Sequence, residues 1–209
     1  MNPNELVLCV APEGQHFNPL KSDVMYNQER FSWQPRGTCE TDPTYKQVIP
    51  YVVYYDLALD SYLVYQRKLG DSRLTGKWSL GIGGHVNEID ESIFSIKQTI
   101  CANINRELSE ELGEDRARPT DQWWNYFRGY IYDPSDEVGS VHLGLVFLRP
   151  MALSEKYVFE DTEHSFEVVS YQGVKDLYEN MENWSRAVID ALVVRRSSMI
   201  FYKAERGEF

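Results

Sequence analysis

The stretch Arg106-Glu107-Leu108-Ser109-Glu110-Glu111-Leu112-Gly113 decides how this chain is read. It closes a run in which Ile93, Lys97, Ile100, Cys101, Ile104, Leu108 and Leu112 recur every three or four positions, the spacing of one helical face. Lys97 adds an aliphatic stem to that stripe. Asp90 or Ser92 stands where a cap would start the helix, and Gly113 where a glycine would end it. At 3.6 residues per turn, Glu107, Glu110 and Glu111 fall within roughly a 100° arc beside the apolar stripe. Three carboxylates so close repel one another, and nothing rewards the arrangement unless cations sit among them. Arg106, four residues before Glu110, is placed to pair with it. Hard oxygen ligands suit Mg²⁺ or Mn²⁺. Such a cation neutralises phosphate oxygens and activates water for attack on phosphorus. The competing interpretation is a solvated acidic face carrying an Arg–Glu pair.

The same residues resemble the second half of the Nudix box, G-x5-E-x7-R-E-U-x-E-E-x-G-U, where U is a large aliphatic residue. They match every fixed position up to Gly113; the final U position holds Glu114. Gly83-Gly84 follows a predicted strand, where the family has its glycines. Arg106 comes 22 positions after Gly84, eight more than in the family pattern. Gln98 takes the place of the family's earlier glutamate, with Glu88 and Glu91 as stand-ins. Eight residues of helix would add roughly 12 Å and carry Gly83 away from the glutamates. The insertion is therefore expected to fold out as a loop or short helix, leaving the glycine turn facing Glu107–Glu111. The run Gly81-Ile82-Gly83-Gly84-His85-Val86-Asn87 also resembles a bacterial Nudix subgroup with a GIGGH turn. Similarity around Gln47–Tyr51 and Glu182–Ser185 extends the resemblance over most of the chain.

The resemblance implies an α/β fold, an α/β/α sandwich with a mixed β-sheet. Residues 46–209 would form the Nudix domain, and residues 1–45 an N-terminal extension packing on it. The implied metal ligands are Glu107, Glu110, Glu111 and the carbonyl of Gly83, holding Mg²⁺ or Mn²⁺. The implied catalytic set is Glu107, Glu110, Arg106 and Glu163. One box glutamate would orient or deprotonate the attacking water, which one being open. Glu163 is taken from the acidic loop Glu160-Asp161-Thr162-Glu163 before a late strand, with Glu137 as runner-up. The substrate class is a nucleoside diphosphate derivative or similar phosphorylated small molecule, and many relatives are dimers. Arg36, Arg67 and Lys77 flank predicted strands and are candidates to meet phosphate, against the ordinary alternative of solvated surface charge.

The rest of the chain is consistent with this. Its 209 residues suit one domain with an extension. A net charge of −11 gives no field for a nucleic-acid polymer. Cys9, Cys39 and Cys101 lack zinc-knuckle or dithiol spacing and suggest reduced thiols in a cytoplasmic protein. No apolar stretch is long enough to cross a membrane, and residues 1–12 lack the basic start of a signal peptide. Strands are expected at Glu5–Val10, Val48–Tyr55, Tyr62–Gln66, Trp78–Ile82, Tyr126–Tyr132, Val141–Leu148 and Phe166–Ser170, with helices at Tyr171–Met181 and Trp184–Arg195.

His85 either faces the substrate or is a plain turn residue. His142, in a strand, is taken as a packed or cross-strand residue. Trp123, Trp124 and Tyr126 are taken as core, and Cys101 as a small buried residue. A GxGxxG dinucleotide loop is excluded by spacing. Three other functions compete with hydrolysis. One is a Nudix-shaped nucleotide sensor, toward which Gln98 is a step. Another is an isoprenoid diphosphate isomerase, for which Cys39 is the sole candidate cysteine, in unsuitable surroundings. The third is a structural acidic protein without a ligand.

Overall fold

The computed structural model describes residues 2–11, 28–68, 74–113, 121–153, 164–194 and 202–203. Within them the chain runs β1 (Leu6–Val10), β2 (Phe31–Pro35), α1 (Arg36–Cys39), β3 (Lys46–Asp56), β4 (Ser61–Arg67), β5 (Trp78–Ser79), β6 (Gly81–Ile82), α2 (Ile96–Leu112), β7 (Phe127–Tyr132), α3 (Glu137–Ser140), β8 (His142–Pro150), β9 (His164–Ser170), α4 (Tyr171–Asp176), α5 (Asn183–Val194) and β10 (Tyr202–Lys203).

β3 is the axis of the sheet. Its β-branched and aromatic residues are buried along almost the whole strand, as expected where both faces are covered. It runs parallel to β8 from Gln47↔His142 to Tyr55↔Pro150, and antiparallel to β1, β4 and β6. The main path is β10-β7-β8-β3-β1-β2, while β4 leaves it to pair with β5 and β9.

Side chains alternate across this mixed sheet. Val48, Val52 and Tyr54 join Leu143, Leu145 and Phe147 against Ile100, Ile104, Leu108 and Leu112 of α2. Tyr51, Val53 and Val146 turn the other way, onto Val174 of α4 and Ala187, Val188 and Ile189 of α5. The result is the expected α/β/α sandwich. The four aliphatic residues of α2 each contribute roughly 1.5–3 kcal/mol by leaving water.

Local boundaries differ from the sequence expectations in several places. α2 begins at Ile96, capped by Ser95, whose side chain accepts from Gln98 N. Ile93 lies outside the helix and is exposed, so the apolar stripe starts one turn late. The Trp78–Ile82 strand is two short strands, because β5 pairs with β4 and β6 with β3. β2, formed by Phe-Ser-Trp-Gln-Pro, alternates apolar and polar over only four residues before Pro35, in a stretch whose prolines and glycines read as irregular; it pairs antiparallel with β1. Cys9 and Cys39, far apart in sequence, bring their sulfurs to 3.2 Å and seat α1 on β1. Trp123 is buried and Arg149 stacks on its ring, so this aromatic group belongs to the core. Among the described residues no helix is long and apolar enough to cross a membrane.

Candidate active site

The glutamate end of α2 meets the turn that follows β6. The Glu107 carboxylate lies so close to Gly84 that a Cβ on Gly84 would overlap it. Gly83 is seated equally tightly, its missing Cβ pointing into the backbone carbonyl of Pro50 in β3. Despite the eight extra residues, the glycine turn therefore faces the glutamates. The extra length lies after the 3₁₀ turn Glu88–Asp90, in the segment leading to Ser95 and in the start of α2 that Ser95 caps.

Arg106 organises the cluster. Its Nε and Nη2 grip Asp90 at 2.8 and 2.9 Å. Its Nη1 pairs with Glu107 at 2.8 Å and with Glu110 at 3.2 Å, and its Nη2 also donates to the carbonyl of His85 at 3.1 Å. Glu107 is largely buried, with 13% of its side chain exposed. Burial pushes its pKa up to about 7; Arg106 opposes that rise, and Glu110 and Glu111 add to it. Glu110 is exposed, and Glu111 acts electrostatically on Tyr65 and Arg67. An all-oxygen cluster of this kind, one member buried beside two like charges, fits a hard divalent cation such as Mg²⁺ or Mn²⁺.

The turn also floors a cleft of about 1070 Å³, large enough for a nucleotide-sized ligand. Arg36, Arg67 and Lys77 line it together with Gly83, Gly84 and Glu182. Arg67 lies over the ring of Tyr65 and 3.7 Å from Glu182. Glu182 in turn accepts from Tyr51 at 2.8 Å and from Ser79 at 2.6 Å, so its place is fixed by the sheet beneath.

No protein-family model matches the chain. Protein YmaB of Bacillus subtilis is 38% identical over 162 residues, covering 75% of this chain and 76% of that protein. The crystal structure of Tm1382, assigned as a Nudix hydrolase, superposes with a TM-score of 0.61 at 26% identity, over 91% of this chain and 99% of that one. The chain belongs to the Nudix hydrolase superfamily. A Nudix hydrolase from Alicyclobacillus acidocaldarius shares the fold at a TM-score of 0.53, 14% identity and coverage of 75% and 98%. A bifunctional NMN adenylyltransferase/ADP ribose pyrophosphatase from Francisella tularensis shares it at 0.51, 20% identity and coverage of 73% and 42%.

Within this Nudix box the structure brings Gly83, Gly84, Arg106, Glu107 and Glu110 into one neighbourhood. Neither Glu88 nor Glu91 takes the place of the missing earlier glutamate; both are exposed. Asp90 does so instead, accepting from Asn87 N, Asn103 and Arg106. Glu163 lies outside the described residues, whereas Glu137 lines the cleft.

Two further cleft residues were not found by sequence reasoning. His142 is a buried partner of His85, with Nε2 atoms 3.3 Å apart. Glu40, at the end of α1, joins them. Burial holds the His85 pKa well below its usual value, with Arg36 and His142 adding to the effect. His142 lies in a strand run that reads as core, and nothing local marks Glu40; only the fold brings them together.

Proposed function

We propose that this Nudix protein hydrolyses a diphosphate linkage in a nucleoside diphosphate derivative or similar small molecule, with Mg²⁺ or Mn²⁺ held by Glu107, Glu110, Glu111 and the carbonyl of Gly83. The observation that carries this is the seating of Glu107 on Gly84, a residue of the turn that lines the cleft together with Arg36, Arg67 and Lys77. Carboxylates packed against the glycine turn and cations along the cleft suit a ligand with a diphosphate centre. When bound, the cations supply neutralisation of the phosphate oxygens and activation of water.

The chain's own residues do the rest. Arg106 holds the carboxylates of Glu107 and Glu110 in register, and Asp90 holds Arg106. Arg67, backed by Glu182, offers a guanidinium to a phosphate oxygen. Glu107 or Glu110 orients or takes the proton of the attacking water, with Glu163 or Glu137 as the additional acidic group. Residues 1–45 act as an extension on the domain of residues 46–209 and lend Arg36 to the cleft wall.

The test is product release from ADP-ribose and other nucleoside diphosphate sugars, dinucleoside polyphosphates and nucleoside triphosphates, with Mg²⁺ or Mn²⁺. Turnover should require the metal and fall at least about 100-fold in Glu110→Gln and in Glu111→Gln. Absence of turnover, together with nucleotide-dependent thermal stabilisation, would replace the hydrolase with a nucleotide sensor.

A further inference from the structure

Beyond the glutamate cluster the cleft wall carries a second group of ligating atoms. Glu40 follows α1, His85 follows β6, and His142 opens β8. One ligand atom from each lies within 4.8 Å of the other two, and all three residues line the cleft. We propose that Glu40, His85 and His142 form a separate zinc-type site, with three protein ligands and a fourth position that takes an oxygen of water or of the molecule in the cleft.

The geometry supports this most directly at the two histidines. Tetrahedral zinc with nitrogens at about 2.0–2.1 Å places two such ligands about 3.3–3.4 Å apart. The Nε2 atoms of His85 and His142 are 3.3 Å apart, the separation such a site requires, and the Glu40 carboxylate, within 4.8 Å, closes in to complete it. Nδ1 of His142 lies 2.7 Å from the carbonyl oxygen of Val138. That oxygen only accepts, so Nδ1 carries the proton and Nε2 presents its lone pair to the cluster. In the metal-free state the Nε2–H of His85 donates to that lone pair. Loading moves this proton to Nδ1 of His85, a change of tautomer that keeps the ring neutral.

The supports are firm as well. The backbone carbonyl of His85 accepts from Asn103 at 2.8 Å and from Arg106 at 3.1 Å. Glu40 is anchored by Arg36 Nε at 3.5 Å, and the Arg36 charge is shared with Glu5 at 3.1 Å. Chemistry separates this site from the glutamates. Two imidazoles and one carboxylate suit zinc and its first-row neighbours, whereas an all-carboxylate set suits Mg²⁺.

The test strips the full chain of metal with a chelator and titrates it with Co²⁺. The expected result is one equivalent giving the strong visible absorption of a four-coordinate site, displaced by Zn²⁺. His142→Gln and Glu40→Gln should each weaken that binding at least about 10-fold, while Glu110→Gln leaves it unchanged. X-ray absorption of zinc-loaded wild type should show two imidazoles in the metal shell, a readout that needs no variant to fold. No uptake, an all-oxygen shell, or loss of the signal in Glu110→Gln instead of His142→Gln would overturn the site. None of these readouts depends on whether the protein turns over a diphosphate.

Discussion

Gly83 and Gly84 are glycines for different reasons. A Cβ on Gly83 would run into the carbonyl of Pro50, backbone in the middle of β3 that is held by the sheet. A Cβ on Gly84 would meet first the carboxylate end of Glu107, the far end of a side chain that can swing aside. Gly83→Ala is therefore expected to cost on the order of 2–4 kcal/mol of stability. Gly84→Ala should cost less than about 1 kcal/mol, yet lower metal-dependent turnover at least tenfold by displacing Glu107. Urea unfolding and kcat measured on both variants would check this. A fully active Gly84→Ala enzyme would show that the seat of Glu107 is dispensable. Both glycines were visible in the sequence as a pair after a strand, but the partner of each is set by tertiary contact, which local pattern does not carry.

At the scale of the element, the instructive segment lies between the glycine turn and α2. Sequence spacing pairs Arg106 with Glu110, and that pair exists at 3.2 Å. The tighter grip, on Asp90 at 2.8 Å, comes from the 3₁₀ turn Glu88–Asp90, which lies ahead of the helix and outside its periodicity. Asp90 looked like a helix cap because caps and buried acceptors use the same residue types. Its carboxylate is spent on Arg106, Asn103 and Asn87 N, which leaves Ser95 to cap α2. Asp90→Asn is expected to destabilise the protein by roughly 2 kcal/mol, because Arg106 keeps Glu107 and Glu110 as partners. It should also reduce turnover, since Arg106 would no longer be held. Wild-type midpoints in thermal unfolding would contradict this.

Across the whole molecule, the helices, the central strands and the box were legible because periodicity and spacing encode them. The cleft was legible only in part: Arg36, Arg67, Lys77 and the glycine pair stood out as candidates, whereas Glu40, His142 and Glu182 join them only through the fold. One consequence of that gathering is a pH dependence. The folded protein raises the Glu107 pKa from 4.5 to about 7. The associated stability is fully present below about 4.5 and is lost as pH rises through about 7, amounting to on the order of 3 kcal/mol. His85 acts oppositely: its pKa is depressed, so its contribution is present above the ordinary histidine range and fades as pH falls. Subtracting the stability curve of Glu107→Gln from that of wild type, both in chelator, isolates the first effect. The difference should shrink wild-type stability relative to the variant between pH 5 and 8. A flat difference would show that Glu107 titrates normally.

The pairing of β3 also bears on how the chain is made. Its partner β8 is synthesised roughly a hundred residues later, Gln47 waiting for His142. Until then a strand apolar on both faces has one long edge bare, the kind of edge that invites other chains. The nascent protein is therefore most exposed to self-association midway through synthesis, when its glutamate helix has emerged but nothing yet closes the sheet beside it.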